Sequence, residues 1–454
     1  MQNTRHKTEV DLINGPIDST LRRFSAPLIL SFIITMLYAW IDMYFISRLG
    51  TNEIAALGVS EQLLFLIFGL AGGFAIGSGI IIARRVGEGN VKQANYIATQ
   101  GFVFMLALST AIALVLYFNL NSIFFMMGIK GKVAFLAKTY MTSILLGVPF
   151  NFAIFQVNSM LRSSGDSFVP MIILIATIVM NAIFAPFFIF GLGPFPMMGV
   201  YGAGLATALS ECLGAILSLI AIMRKSSKVH LSFTNFKIDT SIIWNIIKLG
   251  FPASLQMISI SLSRLVISAI AVSFGTNVLT TYTIGLRLDL FIIMIVLAVG
   301  AAIEIITSQN IGAGKPERVF KFHKSAVIQL SVLMIAVGVL VFLFGENVAR
   351  IFTKSTTIIQ EAGNYMRIMS MSYLFFAIGL ISVRVISGSG DYMRSFRIFA
   401  IMLFAIQVPL AYLLSNYKPL SENGIWIGML LGQIAFSIIS LMSLWKKKWM
   451  RISV

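Results

Sequence analysis

This 454-residue sequence predicts an all-α polytopic membrane protein: twelve transmembrane helices in two six-helix lobes related by a parallel internal repeat. Three observations carry that expectation. Hydrophobic residues make up 58% of the chain and charged residues only 11%, with a mean hydropathy of +0.91, a balance foreign to soluble globular domains. The apolar residues come in about twelve blocks, each long enough to cross a hydrocarbon layer of ~30 Å as a helix. The two halves of the chain also match at one constant offset.

The first block lies in Ser25–Gly50, SAPLILSFIITMLYAWIDMYFISRLG, where Ala26 to Ile41 carries no charge. It predicts a span over 25–47. The polar residues 1–24 lack the charged, apolar and small-residue order of a cleaved signal, so they read as a tail and the first span as a retained anchor. Further apolar blocks predict spans over 55–82, 96–118, 139–161, 168–190 and 201–223, which with the first complete an N-lobe over 25–223. Residues 224–248, RKSSKVHLSFTNFKIDTSIIWNIIK, are polar and basic and read as a linker. Spans over 249–274, 280–305, 325–345, 364–387, 396–416 and 424–445 then form a C-lobe over 249–445, followed by a basic tail over 446–454.

Charge sets the orientation. Of the 34 Lys and Arg, 23 fall in segments on the N-terminal side of alternate spans and 8 on the opposite side, while Arg264, Arg287 and Arg384 lie within spans. The positive-inside rule then puts both termini in the cytoplasm. The net charge of +17 is therefore topological and points to no nucleic acid. One cysteine, Cys212, excludes disulfides and thiolate metal clusters. His6, His230 and His323 fall in the tail or inner loops.

The repeat appears when the chain is shifted by 225 residues. Pro27 then falls on Pro252, Gly50-Thr51-Asn52 on Gly275-Thr276-Asn277, and Tyr140-Met141 on Tyr365-Met366. Ser164-Gly165-Asp166 falls on Ser389-Gly390-Asp391, and Gly199 on Gly424. An even number of helices per half gives both halves the same orientation, so the repeat is parallel and encloses a cleft suited to alternating access. RRVGEGN and QNIGAGK (Arg84–Asn90, Gln309–Lys315) follow matched helices, with glycines where a helix must stop. With no strand before them they are not phosphate cradles.

Mechanism is expected where the halves differ. Asp42 lies about 25 Å along the first span, inside the hydrocarbon, at ~1.5 Å rise per residue. A carboxylate there faces a polar cavity, takes a proton or holds a cation. Its counterpart is Ile267. Asn181 and Thr207 on the fifth and sixth spans, Asn151 on the fourth and Glu211 on the sixth are the groups expected to converge with it. Glu211 is a second candidate for a proton, whereas Glu61 suits the interface. The C-lobe carries Arg264, Arg287, Asp289, Glu304 and Arg384 within spans. Asp289 with Arg264 makes a possible ion pair; otherwise these residues line the cleft. The 24 Met and 37 Phe suit an adaptable site for greasy cations.

WIDMYFISRLG around Asp42, ARRVGEGN, LRSSGD and NAIFAPFFIFG with GVYGAGLATA, echoed by QNIGAGKPERV and SGSGD, resemble the multidrug and toxic compound extrusion transporters over essentially the whole chain. The resemblance implies twelve helices in two lobes and export of cationic amphipathic compounds against H⁺ or Na⁺. It implies that Asp42 is the coupling acid, with Asn181 and Thr207 as its partners. The family commonly has an Asp four residues after that Asn, where this chain has Ala185, and its sodium-coupled branch has acids in helices seven and ten, where this chain has none. Both departures favour protons over sodium. The expected activity is therefore a proton-coupled efflux antiporter of the kind that confers antibiotic resistance, needing no cofactor or metal and working as a monomer on small organic cations. The alternative is a flippase for a lipid-linked or natural-product substrate, suggested by the in-span arginines. No intramembrane His and no nucleophile–base pair suggests an enzyme.

Overall fold

The computed structural model describes residues 8–223, 227–234 and 236–451. Arg5, His6, Lys7, Arg224 and Lys225 therefore lie outside the described residues. Helices account for nearly all of the rest: α1 (Ile17–Ser47), α2 (Thr51–Gly87), α3 (Val91–Met126), α4 (Gly131–Ile144), α5 (Val148–Ser163), α6 (Phe168–Phe190) and α7 (Gly199–Met223) come first. Then follow α8 (Thr240–Ser273), α9 (Thr276–Gly312), α10 (Pro316–Phe352), α11 (Thr356–Gly388), α12 (Tyr392–Ala400), a π-helical segment Ile401–Gln407, α13 (Val408–Ser415) and α14 (Asn423–Trp445). Eleven of the resulting spans are long and apolar enough to cross a membrane, and α4 with α5, bent by 52°, make a twelfth.

Most of these helices outrun the predicted spans. Hydropathy marks only the stretch that sits in hydrocarbon, whereas a backbone already in helix continues into polar residues at little cost. Thus α1 starts at Ile17, inside the expected tail, and α8 starts at Thr240, inside the expected linker. Asp239 caps α8. Hydrogen bonds from the Ser241 hydroxyl and the Ile242 N–H hold its carboxyl below the usual range. Gly50 and Gly275 precede α2 and α9 at φ 145° and 114°, a backbone region open to glycine. They are repeat partners, so the same turn opens the second helix of each half.

Two interruptions follow from proline. Pro149 sits in the first turn of α5; it removes an N–H and disfavours helix at the residue before it. Its repeat partner is Leu374, and α11 runs unbroken there. The π-helical segment ends at Gln407, two residues before Pro409 in the first turn of α13, where a lost N–H is absorbed by a shift in hydrogen-bond register.

By contacts the chain divides into two units. One holds residues up to Asp11 and Ala26–Ser254, the other Leu12–Ser25 and Leu255 onward. The division thus falls inside α8 rather than at residue 249, and the first turns of α1 go with the second unit. The first unit has its core where Phe74, Tyr140, Met141, Phe152, Phe188 and Ile189 are buried between α2, α4, α5 and α6. Its 227–234 segment lies along α3: the His230 N–H donates to Asn95 Oδ1 and the Ser232 N–H to Thr99 Oγ1. The second unit buries Tyr282, Tyr365 and Trp426 in mutual contact. His323 is not a loop residue: it lies in α10, with Nε2 2.9 Å from Ser382 Oγ.

Candidate functional site

The first unit concentrates its in-membrane polar groups in one place. Asp42 stands one turn beyond Tyr38 on α1, on the same helix face, and the two act on each other electrostatically. The Tyr38 hydroxyl lies 3.4 Å from Thr207 Oγ1 on α7. Asn181 on α6 donates through Nδ2 to Thr207 Oγ1 at 3.1 Å. Asp42, Asn181 and Thr207 are therefore brought into one connected group, and Tyr38 is the link. The sequence carried a signal for it: an i, i+4 spacing between a hydroxyl and an intramembrane acid.

Ala185, one turn beyond Asn181, is buried and adds no ligand. Asn181 is itself 1% exposed, and its Oδ1 has no donor among the described residues. Glu61 on α2 is exposed, yet its charge acts on Asp42.

Asn151 and Glu211 form a second pair beside this group. Asn151 Nδ2 donates to Glu211 Oε1 at 2.7 Å. Glu211 is buried and within electrostatic reach of Asp42. Its carboxylate sits at the bend between α4 and α5, over Gly147, the residue before α5. A Cβ there would come 2.5 Å from Glu211 Oε2 and 2.8 Å from Ala208 Cα. Gly147→Ala is expected to cost about 1–3 kcal/mol by overpacking and to lower the melting temperature in a thermal scan, since backbone of α7 as well as a side chain must move. Tyr140 on α4, missed from sequence, is buried amid Asp42, Glu61 and Glu211 and feels all three charges. No Lys or Arg among the described residues pairs with Asp42 or Glu211.

The repeat supplies an internal control. Shifted by 225 residues, Asn151 and Glu211 fall on Phe376 and Phe436, whose rings stack at 6.3 Å. The fold accepts an apolar pair at this crossing, so the polar pair in the first unit is not a structural requirement.

The second unit arranges its charges differently. Asp289 on α9 is 3% exposed, and its oxygens accept from Tyr365 at 2.5 Å and Tyr373 at 2.7 Å, both on α11. The expected pair with Arg264 does not form. The Arg264 charge acts on Asp289, but tyrosine hydroxyls, shorter in reach and needing no desolvated cation, take the carboxylate. Arg287 is exposed, with its guanidinium 6.0 Å from the Phe352 ring centre. Glu304 and Arg384 pair with each other, Nη1 to Oε2 at 3.3 Å, and Tyr392 donates to the same carboxylate. Both are buried, so this pair is closed on itself rather than open to a ligand. Its repeat partners are Gly79 and Ser159, which touch so closely that a Cβ on Gly79 would lie 2.2 Å from Ser159 Oγ. One crossing is closed by small residues, the other by an ion pair.

A membrane protein of two repeated helical units with carboxylates buried inside its spans defines a class of transporter. The MatE family model matches residues 27–187 and again 252–413, the same 225-residue offset read from the sequence, and the chain belongs to that family of multidrug and toxic compound extrusion transporters. It is similar to the probable multidrug resistance protein YoeA of Bacillus subtilis, 26% identical over 94% of this chain and 93% of that one. It is also similar to the probable multidrug resistance protein NorM of Thermotoga maritima, 27% identical over 93% and 91% of the two chains. Among solved structures, an outward-facing conformation of a multidrug resistance MATE family transporter superposes with a TM-score of 0.91 at 25% identity, covering 97% of this chain and 98% of that one. The protein is thus a multi-pass membrane transporter with the two-lobe repeat fold, of a family that comprises transporters rather than enzymes and needs no cofactor.

Proposed function

We propose that this chain exports cationic amphipathic compounds by alternating access, in exchange for protons that bind Asp42. One observation carries the reading: Asp42 sits among acceptors and hydroxyls in the membrane with no basic side chain among the described residues to neutralise it. An intramembrane carboxylate in that state needs a mobile positive charge. Asn181 and Thr207 orient the group through Tyr38, and Asn151 and Glu211 add a second acid. Ala185 leaves the Asp42 side one carboxylate short of a charged sodium shell, which favours the proton. In this reading the chain is a monomer of the bacterial cytoplasmic membrane with both termini in the cytoplasm, organised as a tail over 1–24, lobes over 25–223 and 249–445, a linker over 224–248 and a tail over 446–454.

The test is efflux of a fluorescent organic cation from proteoliposomes under an imposed pH gradient or an imposed Na⁺ gradient. Transport driven by the pH gradient alone is expected. Transport driven only by Na⁺ would overturn the proton assignment.

A second reading is export of an anionic lipid-linked substrate. It is favoured by Arg264, an in-span guanidinium whose nearest acid, Asp289, is already taken by two tyrosines. Saturable binding of an anionic lipid that disappears in Arg264→Gln, with no movement of organic cations, would select it.

A further inference from the structure

We propose that Glu211 and Asn151 form the receptor for a protonated primary or secondary amine on the transported molecule. The proposal deepens the export reading and rests on it for the role of Asp42. Three observations lead here. Glu211 is a buried carboxylate whose only side-chain donor among the described residues is the Asn151 amide. The other end of that amide, Oδ1, is buried and has no donor among the described residues. Unmet buried acceptors are rare in folded proteins and are satisfied by something, commonly a ligand or water. The equivalent crossing in the second unit is a phenylalanine pair, so the fold itself does not ask for these groups.

The chemistry of the vacant acceptors specifies the ligand class. Glu211 Oε2 and Asn151 Oδ1 both accept and neither donates. A group that suits them brings a positive charge together with two or more N–H bonds. A primary or secondary ammonium does so. A quaternary ammonium or a phosphonium brings the charge without a donor and leaves both acceptors unmet, at the cost usual for buried polar groups. Gly147 belongs to the same design. Only a residue without Cβ leaves Glu211 Oε2 room at the bend.

The position also explains how cargo and proton exchange. Asp42 and Glu211 act on each other electrostatically, and the other titratable groups facing them are Tyr38, Tyr140 and Glu61, with no Lys, Arg or His among the described residues. An ammonium at Glu211 and a proton at Asp42 are two positive charges in one low-dielectric cluster, where they repel. Each therefore weakens the other's binding by the same factor. Arrival of the amine expels the proton, and return of the proton expels the amine.

The decisive measurement is binding to the purified full-length protein in lipid nanodiscs, using dansylcadaverine, a fluorescent primary amine, and its N,N,N-trimethyl analogue. Wild type is expected to prefer the amine by about tenfold or more, the scale of one hydrogen bond to a charged partner. Glu211→Gln is expected to weaken both probes but the amine far more, abolishing the preference, and Asn151→Leu to abolish the preference through the amine alone, with thermal unfolding of each variant reporting that it folds. Glu211→Asp keeps the charge and is expected to retain part of the preference. In weak buffer, amine binding to wild type releases protons, and in Asp42→Asn it releases fewer. Equal affinity of wild type for the two probes, or an undiminished preference in Glu211→Gln, overturns the proposal. If Glu211→Gln fails to fold, Asn151→Leu decides alone, and an unchanged preference in it overturns the proposal equally. Loss of the preference in Glu211→Gln alongside pH-driven export that survives in Asp42→Asn removes the coupling reading and leaves the amine site standing.

Discussion

Asp42→Asn is expected to reduce pH-gradient-driven export of an organic cation by about a hundredfold or more, with the protein still folded. Asparagine is nearly isosteric with aspartate, and the contacts of Thr207 with Tyr38 and Asn181 do not depend on the charge it removes. What disappears is the only carboxylate of the α1 span. Position 42 can then neither take nor give up a proton, so the pH gradient has no group there through which to drive the cycle. Binding of cargo, measured separately, is expected to persist, since the positive charge of the cargo has Glu211 nearby. Export by Asp42→Asn at the wild-type rate under the same gradient would sink the assignment. Tyr38→Phe offers a graded companion. It removes the hydroxyl link but keeps the acid, so transport should fall less and its dependence on pH should move.

Arg384→Ala is expected to destabilise the protein by about 3–5 kcal/mol, the usual effect of leaving one half of a buried ion pair without its partner. Glu304 would be stranded at 3% exposure with only Tyr392 to donate to it. The double variant Glu304→Leu with Arg384→Met is expected to recover most of that loss, because a well-packed apolar pair is often as stable as the ion pair it replaces. The first unit supports this, since Gly79 and Ser159 close the equivalent crossing without charge. Thermal unfolding of the three proteins in detergent reads the result. A single variant as stable as wild type would mean that the pair is open to solvent and not sealed between α9 and α11.

The sequence by itself determined the membrane class, the number of spans, the repeat and Asp42. Each rests on a one-dimensional property: run length, the period of the basic loops, a constant offset, or a charge where no charge belongs. The twofold match of the family model at the same 225-residue spacing agrees with the repeat. Helix ends were less legible. Hydropathy reports the hydrocarbon boundary, not the point where backbone hydrogen bonding stops, so α1 and α8 begin well before their apolar blocks. The break between α4 and α5 was written in Pro149, but its consequence depends on what α7 packs into the bend.

Partnership was decided only by the tertiary structure. Asp289 and Arg264 carry opposite charges on consecutive helices, yet two tyrosines from α11 reach the carboxylate first. Glu304 and Arg384, 80 residues apart, close on each other. Asn151 and Glu211 read as isolated polar residues until the fold set one amide against one carboxylate. Charge along a chain says what must be compensated. Which group compensates it depends on distances of a few ångströms between helices, set by the packing of the apolar residues around them.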